Sequence, residues 1–325
     1  MTKKLTRRAI LGAAAAGALV RPLRAATWPE RAVTVIVPFP PGGSNDVVGR
    51  LVAQALSRSL GQPFVVENRP GANGNIGAAA VARAAPDGYT LLVSGNGQNA
   101  MNHGLYRSMP YDSRTSFTHV AQLASVPNAL VVAADFPART LPELLAMARE
   151  KPGSLSFASP GSGSSGHLAM AMLMRAAGVE LMHIPYRGAA PAITDVIAGQ
   201  VGVAMLNVDV ALPHVRAGKL RVLATTGTAA SPLYPEAPTV AASGFPGFSA
   251  EGWMGLSGPA GLPAPIAARL EAAVAEALRE PALVERFAAS GYAPGQRGAA
   301  DYTAFVGAEI DKWGKVTKEL GILLE

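Results

Sequence analysis

Short runs of branched apolar residues alternate with alanine-rich stretches of helical spacing along most of this chain. Val33–Val37 reads as a strand buried on both faces, and Asp46–Leu60 as the helix after it. Phe64–Glu67 is a second strand. Ile76–Ala84 is a helix stopped by Pro86-Asp87-Gly88, and Thr90–Ser94 is a third strand. This βαβαβ rhythm predicts parallel strands with helices on both faces. A second set follows. It has strands at Ala129–Ala133, Leu155–Ala158, Met182–Pro185, Val201–Leu206 and Arg221–Thr226. Its helices are Leu141–Glu150, Ser165–Ala177, Ala189–Gly199 and Val208–Ala217. Ser231–Pro263 is rich in proline, glycine and serine and reads as irregular. Three helices close the chain, at Pro265–Arg279, Pro281–Ser290 and Ala299–Leu320.

The fold class is therefore α/β, with two such units in one chain. The closing helices have no sheet of their own. Packing them back on the first unit makes the chain cross between domains twice, near Ser125–Ala129 and Ser249–Trp253. The expected division is residues 27–127 plus 251–325 as one domain and 128–250 as the other. Two crossings make a hinge, and a hinge over a cleft encloses a small ligand.

The N-terminal segment changes the reading of charge and location. Residues 1–26 have a basic start with Arg7-Arg8, a short apolar middle from Ala9 to Val20, and a small-residue end. That is the plan of an export signal of twin-arginine type, with cleavage expected after Ala25 or Ala26. The apolar middle is too short to span a bilayer, which takes about 20 residues. The whole chain carries 28 basic and 22 acidic residues. Six of the basic ones (Lys3, Lys4, Arg7, Arg8, Arg21 and Arg24) leave with the signal. The mature chain is then neutral, and the precursor's net positive charge gives no support to nucleic-acid or membrane-surface binding. With no cysteine there is no disulfide, thiolate metal site, cysteine nucleophile or lipid anchor. A soluble periplasmic monomer is expected.

Two loops stand out as candidate chemistry. Pro38–Asp46 joins the first strand to its helix. Its prolines stop the strand, and Gly42 and Gly43 let backbone approach a ligand. Ser44 or Asn45 can cap the helix, whose free N–H groups and dipole suit a carboxylate or phosphate. Asp46 reads as a dipole partner of that first turn, since it would repel an anion. Ala158–His167 is the counterpart in the second unit, with Ser159, Gly161, Ser162, Gly163, Ser164 and Ser165 supplying hydroxyls and backbone donors. Read literally, Gly161-x-Gly163-x-x-Gly166 is a dinucleotide fingerprint. The acid expected about 20 residues on is absent, and Tyr186-Arg187 stands there instead. An arginine can select a 2′-phosphate, so an exported NADP-dependent oxidoreductase is the alternative of a different class.

Other catalytic signatures are poor. No serine of this loop lies in Gly-x-Ser-x-Gly. The five histidines never pair at metal-ligand spacing, and each reads as a capping, surface or packing residue. Asn96, Gln98 and Asn99 form an amide-rich third loop. Arg187, following a strand end, is either a ligand cation or a surface residue.

With these loops in hand, the chain resembles the Bug-type periplasmic solute receptors, the binding components of tripartite tricarboxylate transporters. The resemblance covers roughly the whole mature chain. It rests on Val37–Asp46, Val66–Gly74, Pro86–Leu92, Ser159–His167, Pro185–Pro191 and Ala217–Ala224. Two positions depart from the family pattern. Gly202 follows Gln200-Val201 where an acid is usual, and Leu206-Asn207-Val208-Asp209 replaces the commoner Phe-Asp-Asn.

The resemblance implies a two-domain fold like the type II periplasmic binding proteins, with an interdomain cleft. It implies a small carboxylate ligand, delivery to membrane subunits, no cofactor, no metal and no chemistry. The candidate ligand-binding set is Phe39, Gly42, Gly43, Ser44, Asn45, Asn96, Ser159, Gly161, Ser162, Gly163, Ser164, Ser165, Tyr186, Arg187 and Asn207.

Overall fold

The computed structural model describes residues 28–324. The signal-like segment lies outside the described residues. In the first unit β1 (Val33–Val37), β2 (Phe64–Asn68) and β3 (Thr90–Gly95) are parallel, with β1 in the middle. Their crossover helices are α1 (Ser44–Leu60) and α2 (Asn75–Ala82). β1 has almost no accessible side chain, as expected of a strand covered on both faces.

The chain then forms a π-helical turn at Gly97–Met101 and the short α3 (Asn102–Leu105). This helical stretch occupies what reads as a loop in sequence. It is held by side chains, because Asn99 accepts from Gly95 N–H at 3.1 Å and Gln98 donates to the Val93 carbonyl at 3.1 Å. Both side chains are buried and neither lines the cleft, so of the three amides of this loop only Asn96 reaches it.

β4 (Phe117–Ala133) is three times longer than its apolar stretch implies. Its first part carries His119, Gln122, Ser125 and Pro127, whose polarity hides the strand period. The second unit continues with α4 (Leu141–Glu150), β5 (Ser156–Ser159), α5 (Ser165–Ala177), β6 (Met182–Pro185) and α6 (Ala189–Ile197). Then come β7 (Val203–Asn207), α7 (Val208–Arg216) and β8 (Leu220–Thr225). β6, β5 and β7 are parallel, while β4 runs antiparallel to β7 and β8.

β9 (Glu251–Pro259) falls inside the stretch expected to be irregular. It pairs antiparallel with both β3 and β4. Its glycines mislead a propensity reading, but tertiary packing demands at least one of them. A Cβ on Gly255 would sit 2.1 Å from the Tyr302 hydroxyl. The chain closes with α8 (Ala264–Ala277), α9 (Pro281–Ala289), β10 (Ala293–Pro294) and α10 (Ala299–Leu320). α8 lies on α1 and β4, and α10 on α3 and β4. Buried Glu309 of α10 accepts from the indole N–H of Trp313 at 2.8 Å and of Trp253 in β9 at 3.0 Å.

The strands form one sheet in the order β2-β1-β3-β9-β4-β7-β5-β6, with β8 and β10 also on β4. β4 changes partner along its length. Pro127 opposes Glu251 of β9, and the next residue, Asn128, opposes Asn207 of β7. The two units therefore share β4.

Candidate functional site

A cleft of about 520 Å³ opens where the units meet, at the carboxyl ends of β1, β3 and β7. In α/β sheets ligands collect at such strand ends. One wall begins at Phe39. Pro38, Pro40 and Pro41 end β1, and Gly42 turns the chain with φ +84°, a conformation that favours glycine. Gly42 N–H donates to Asp46 Oδ2 at 3.0 Å.

The helix starts earlier than its apolar period implies, with Gly43 as N-cap and no side-chain cap. Neither Ser44 nor Asn45 caps it. Ser44 sits inside the first turn, and its hydroxyl is used across the cleft instead. It donates to Asp209 Oδ1 at 2.8 Å and accepts from Asn207 Nδ2 at 2.8 Å. Asp46 points away from the ligand space. Burial would raise its carboxyl, but Arg50 at 2.9 Å, Gly42 N–H and Asn68 hold it below the ordinary value.

The opposite wall is built on the starts of α5, α6 and α7. Ser164 caps α5, accepting from His167 N–H at 3.3 Å. The Ser165 hydroxyl lies 3.2 Å from Asn128 Oδ1 and 3.3 Å from Asn207 Oδ1. First-turn N–H groups have no intrahelical acceptor. Among the described residues those of Gly43, Ser44, Asn45 and Ser165 have no protein partner. Four free donors from two helix starts thus border one space, with both dipoles favouring negative charge.

Of the candidate set, the cleft lining contains Phe39, Gly42, Gly43, Ser44, Asn45, Asn96, Ser164, Ser165, Arg187 and Asn207. Ser159, Gly161, Ser162, Gly163 and Tyr186 are outside it. Three backbone donors of the inner loop are committed within the protein. Gly163 N–H donates to His167 Nδ1 at 3.0 Å, Ser164 N–H to the Gly161 carbonyl, and Gly161 N–H to Ser159 Oγ. Ser159 also meets His183 Nε2 at 2.7 Å. The Gly163 carbonyl accepts from Asn73 of the opposite wall at 2.8 Å. The Tyr186 hydroxyl donates to Asp195 at 2.6 Å, and its phenol is pushed up to about 12 by burial and that carboxylate.

Sequence reasoning missed Asn73, Asp209, Trp253, Ser290 and Tyr292, which line the cleft from distant parts of the chain. The one available signal was Asp209, a departure from the family pattern.

Comparison with known proteins agrees with this geometry. A family model described as tripartite tricarboxylate transporter family receptor matches residues 48–322. The chain belongs to that family. Protein BugT of Bordetella pertussis is 38% identical over 312 residues, 96% of each chain. The structure of R. palustris Rpa4515 with adipate superposes with a TM-score of 0.88 at 38% identity, covering 91% of this chain and all of that one. MatC from Rhodopseudomonas palustris with bound malate gives 0.83 at 34% identity, covering 89% and 99%.

The fold is the two-domain, type-II-like periplasmic binding fold with its cleft between domains. The oxidoreductase reading is not supported. The N–H groups of Gly161, Gly163 and Ser164 are spent internally, and a Cβ on Gly163 would meet Leu105 at 2.7 Å, where a pyrophosphate would need open backbone. Among the described residues no helix is long and apolar enough to cross a membrane.

Proposed function

We infer that this receptor captures a small organic carboxylate in the cleft and hands it to membrane transport subunits, without covalent chemistry. The observation that carries the reading is the set of four free N–H groups from two helix starts bordering one cavity. One ligand carboxylate placed there replaces the water those donors otherwise hold. The adipate and malate held by two relatives belong to the same chemical class. The proposed contacts are Phe39, Gly42, Gly43, Ser44, Asn45, Asn96, Ser164, Ser165 and Asn207, with Arg187 as the added cation at the rim.

The domains in this reading are residues 27–127 with 251–325, and 128–250. Their hinge lies where β4 exchanges β9 for β7. Hydrogen bonds across the cleft, Ser44 to Asp209 and Asn73 to Gly163, match a closed arrangement. A ligand touching both walls binds that form better and so shifts the population toward it. Export by the twin-arginine route, cleavage near Ala25 or Ala26, and a monomeric state complete the proposal.

The test is calorimetric titration with adipate, malate and related acids, alongside small-angle scattering. Binding of at least one acid with a fall in radius of gyration is expected. Failure of every acid to bind ends the carboxylate reading, and binding with an unchanged radius ends the hinge.

A further inference from the structure

Asp209 is the anomaly of an anion site. It lies in the first turn of α7, lines the cleft, and presents a carboxylate to the space where a negatively charged ligand is proposed to sit. Two hydroxyls converge on its oxygens. The Ser44 hydroxyl accepts from Asn207 and donates to Asp209 Oδ1 at 2.8 Å. The Tyr292 hydroxyl donates to Oδ2. Burial raises the Tyr292 phenol far above its ordinary range, so it stays a neutral donor. Among the described residues these are its two side-chain donors.

What Asp209 lacks is a positively charged neighbour. Asp46, a few residues from the same cleft, is paired with Arg50. Asp209 has no lysine, arginine or histidine within 4.0 Å among the described residues. Arg187, which also lines the cleft, is therefore not its partner. Burial raises the Asp209 carboxyl above its ordinary value, while Tyr292, Ser44 and the backbone at the start of α7 pull the other way. An enclosed carboxylate without a counter-charge is costly unless something supplies one.

We propose that the ligand supplies it: Asp209 receives a protonated amine, and the cleft is built for a small amino-carboxylate rather than a plain diacid. This rests on the carboxylate reading above and narrows it. The carboxylate of such a ligand meets the helix starts, and its ammonium supplies the counter-charge to Asp209. A hydroxyl at the same position brings no charge.

Three matched pairs test this by calorimetry on the purified protein: succinate with aspartate, glutarate with glutamate, and adipate with 2-aminoadipate. In every pair that binds, the amine-bearing member should bind at least tenfold tighter. Asp209→Asn should cut that preference below threefold by weakening the amine-bearing member alone. The wild-type panel stands even if the variant folds poorly. Diacids that bind as well as their amino counterparts overturn this inference and leave the carboxylate reading intact. So does an Asp209→Asn variant that weakens both members alike. If none of the six acids binds, both readings fall.

Discussion

Acid should destabilise this protein through one pair of stacked rings. His167 and His183 lie face to face, with centroids 3.9 Å apart and planes 7° from parallel, and Phe157 stacks beyond them. Burial and the neighbouring ring push His167 down to about 3, and burial pushes His183 down to about 4. Both folded values lie below the ordinary 6.5, so between these limits the unfolded chain binds more protons. Stability is then complete above pH 6.5 and is lost as pH falls.

For His167 alone, linkage at about 1.36 kcal/mol per decade makes the loss at pH 4 about 3 kcal/mol relative to pH 7. His183, half-buried, acts in the same direction. The local reason is visible. His167 Nδ1 accepts from Gly163 N–H at 3.0 Å, and a proton there turns an acceptor into a second donor.

The assay is urea unfolding from pH 7 to 4, followed by tryptophan fluorescence, on the parent and on His167→Asn, whose carbonyl keeps an acceptor near the ring nitrogen. The parent should lose about 3 kcal/mol more than the variant over that range. Asp209, raised, contributes with the opposite sign, and Asp46, lowered, loses its contribution at still lower pH. Both are shared and cancel in the difference. Parallel pH profiles for the two proteins would refute the argument.

Three further outcomes follow from the geometry. Gly43 has φ −83°, and a Cβ there meets only the Pro40 carbonyl at 3.9 Å, so valine leaves the turn unstrained and projects into open space beside it. Gly43→Val should therefore keep the urea midpoint but weaken calorimetric binding of the best acid at least tenfold, about 1.4 kcal/mol, and by more than Ser44→Ala. Arg187→Gln should weaken the same binding by about 1.5–3 kcal/mol if the guanidinium bonds the ligand charge, and unchanged affinity returns it to the surface. Gly166→Ala places a Cβ 2.1 Å from the Met205 carbonyl and should cost about 3 kcal/mol in urea unfolding, because α5 must lift off β7; a cost below 1 kcal/mol would contradict that packing.

Periodicity and punctuation made most of the fold legible. VTVIV at β1, the glycine-rich turns after β1 and β5, and the long helical period of α10 each carry their structure locally. β9 does not. Its Glu-Gly-Trp-Met-Gly-Leu-Ser-Gly-Pro has little strand propensity, and it is a strand because β3 and β4 pair with both its edges. The first half of β4 is hidden in the same way. Its polar residues are satisfied by tertiary partners, as when His119 meets Ser257 at 2.9 Å and the Ser113 carbonyl at 2.9 Å.

By itself, then, the sequence determined two α/β units, their order, and a glycine-rich helix start in each. These are local properties: side-chain period, proline and glycine at turns, and unpaired N–H groups at any helix start. Only the tertiary structure decided which donors stay free. Gly163 N–H is taken by His167, whereas Gly43 and Ser165 keep theirs. The fold alone brought Asp209 against Ser44 and Tyr292, residues 165 and 83 positions away. Hydrogen-bond competition and burial depend on neighbours that chain distance does not reveal, so the charge of the site was settled by packing.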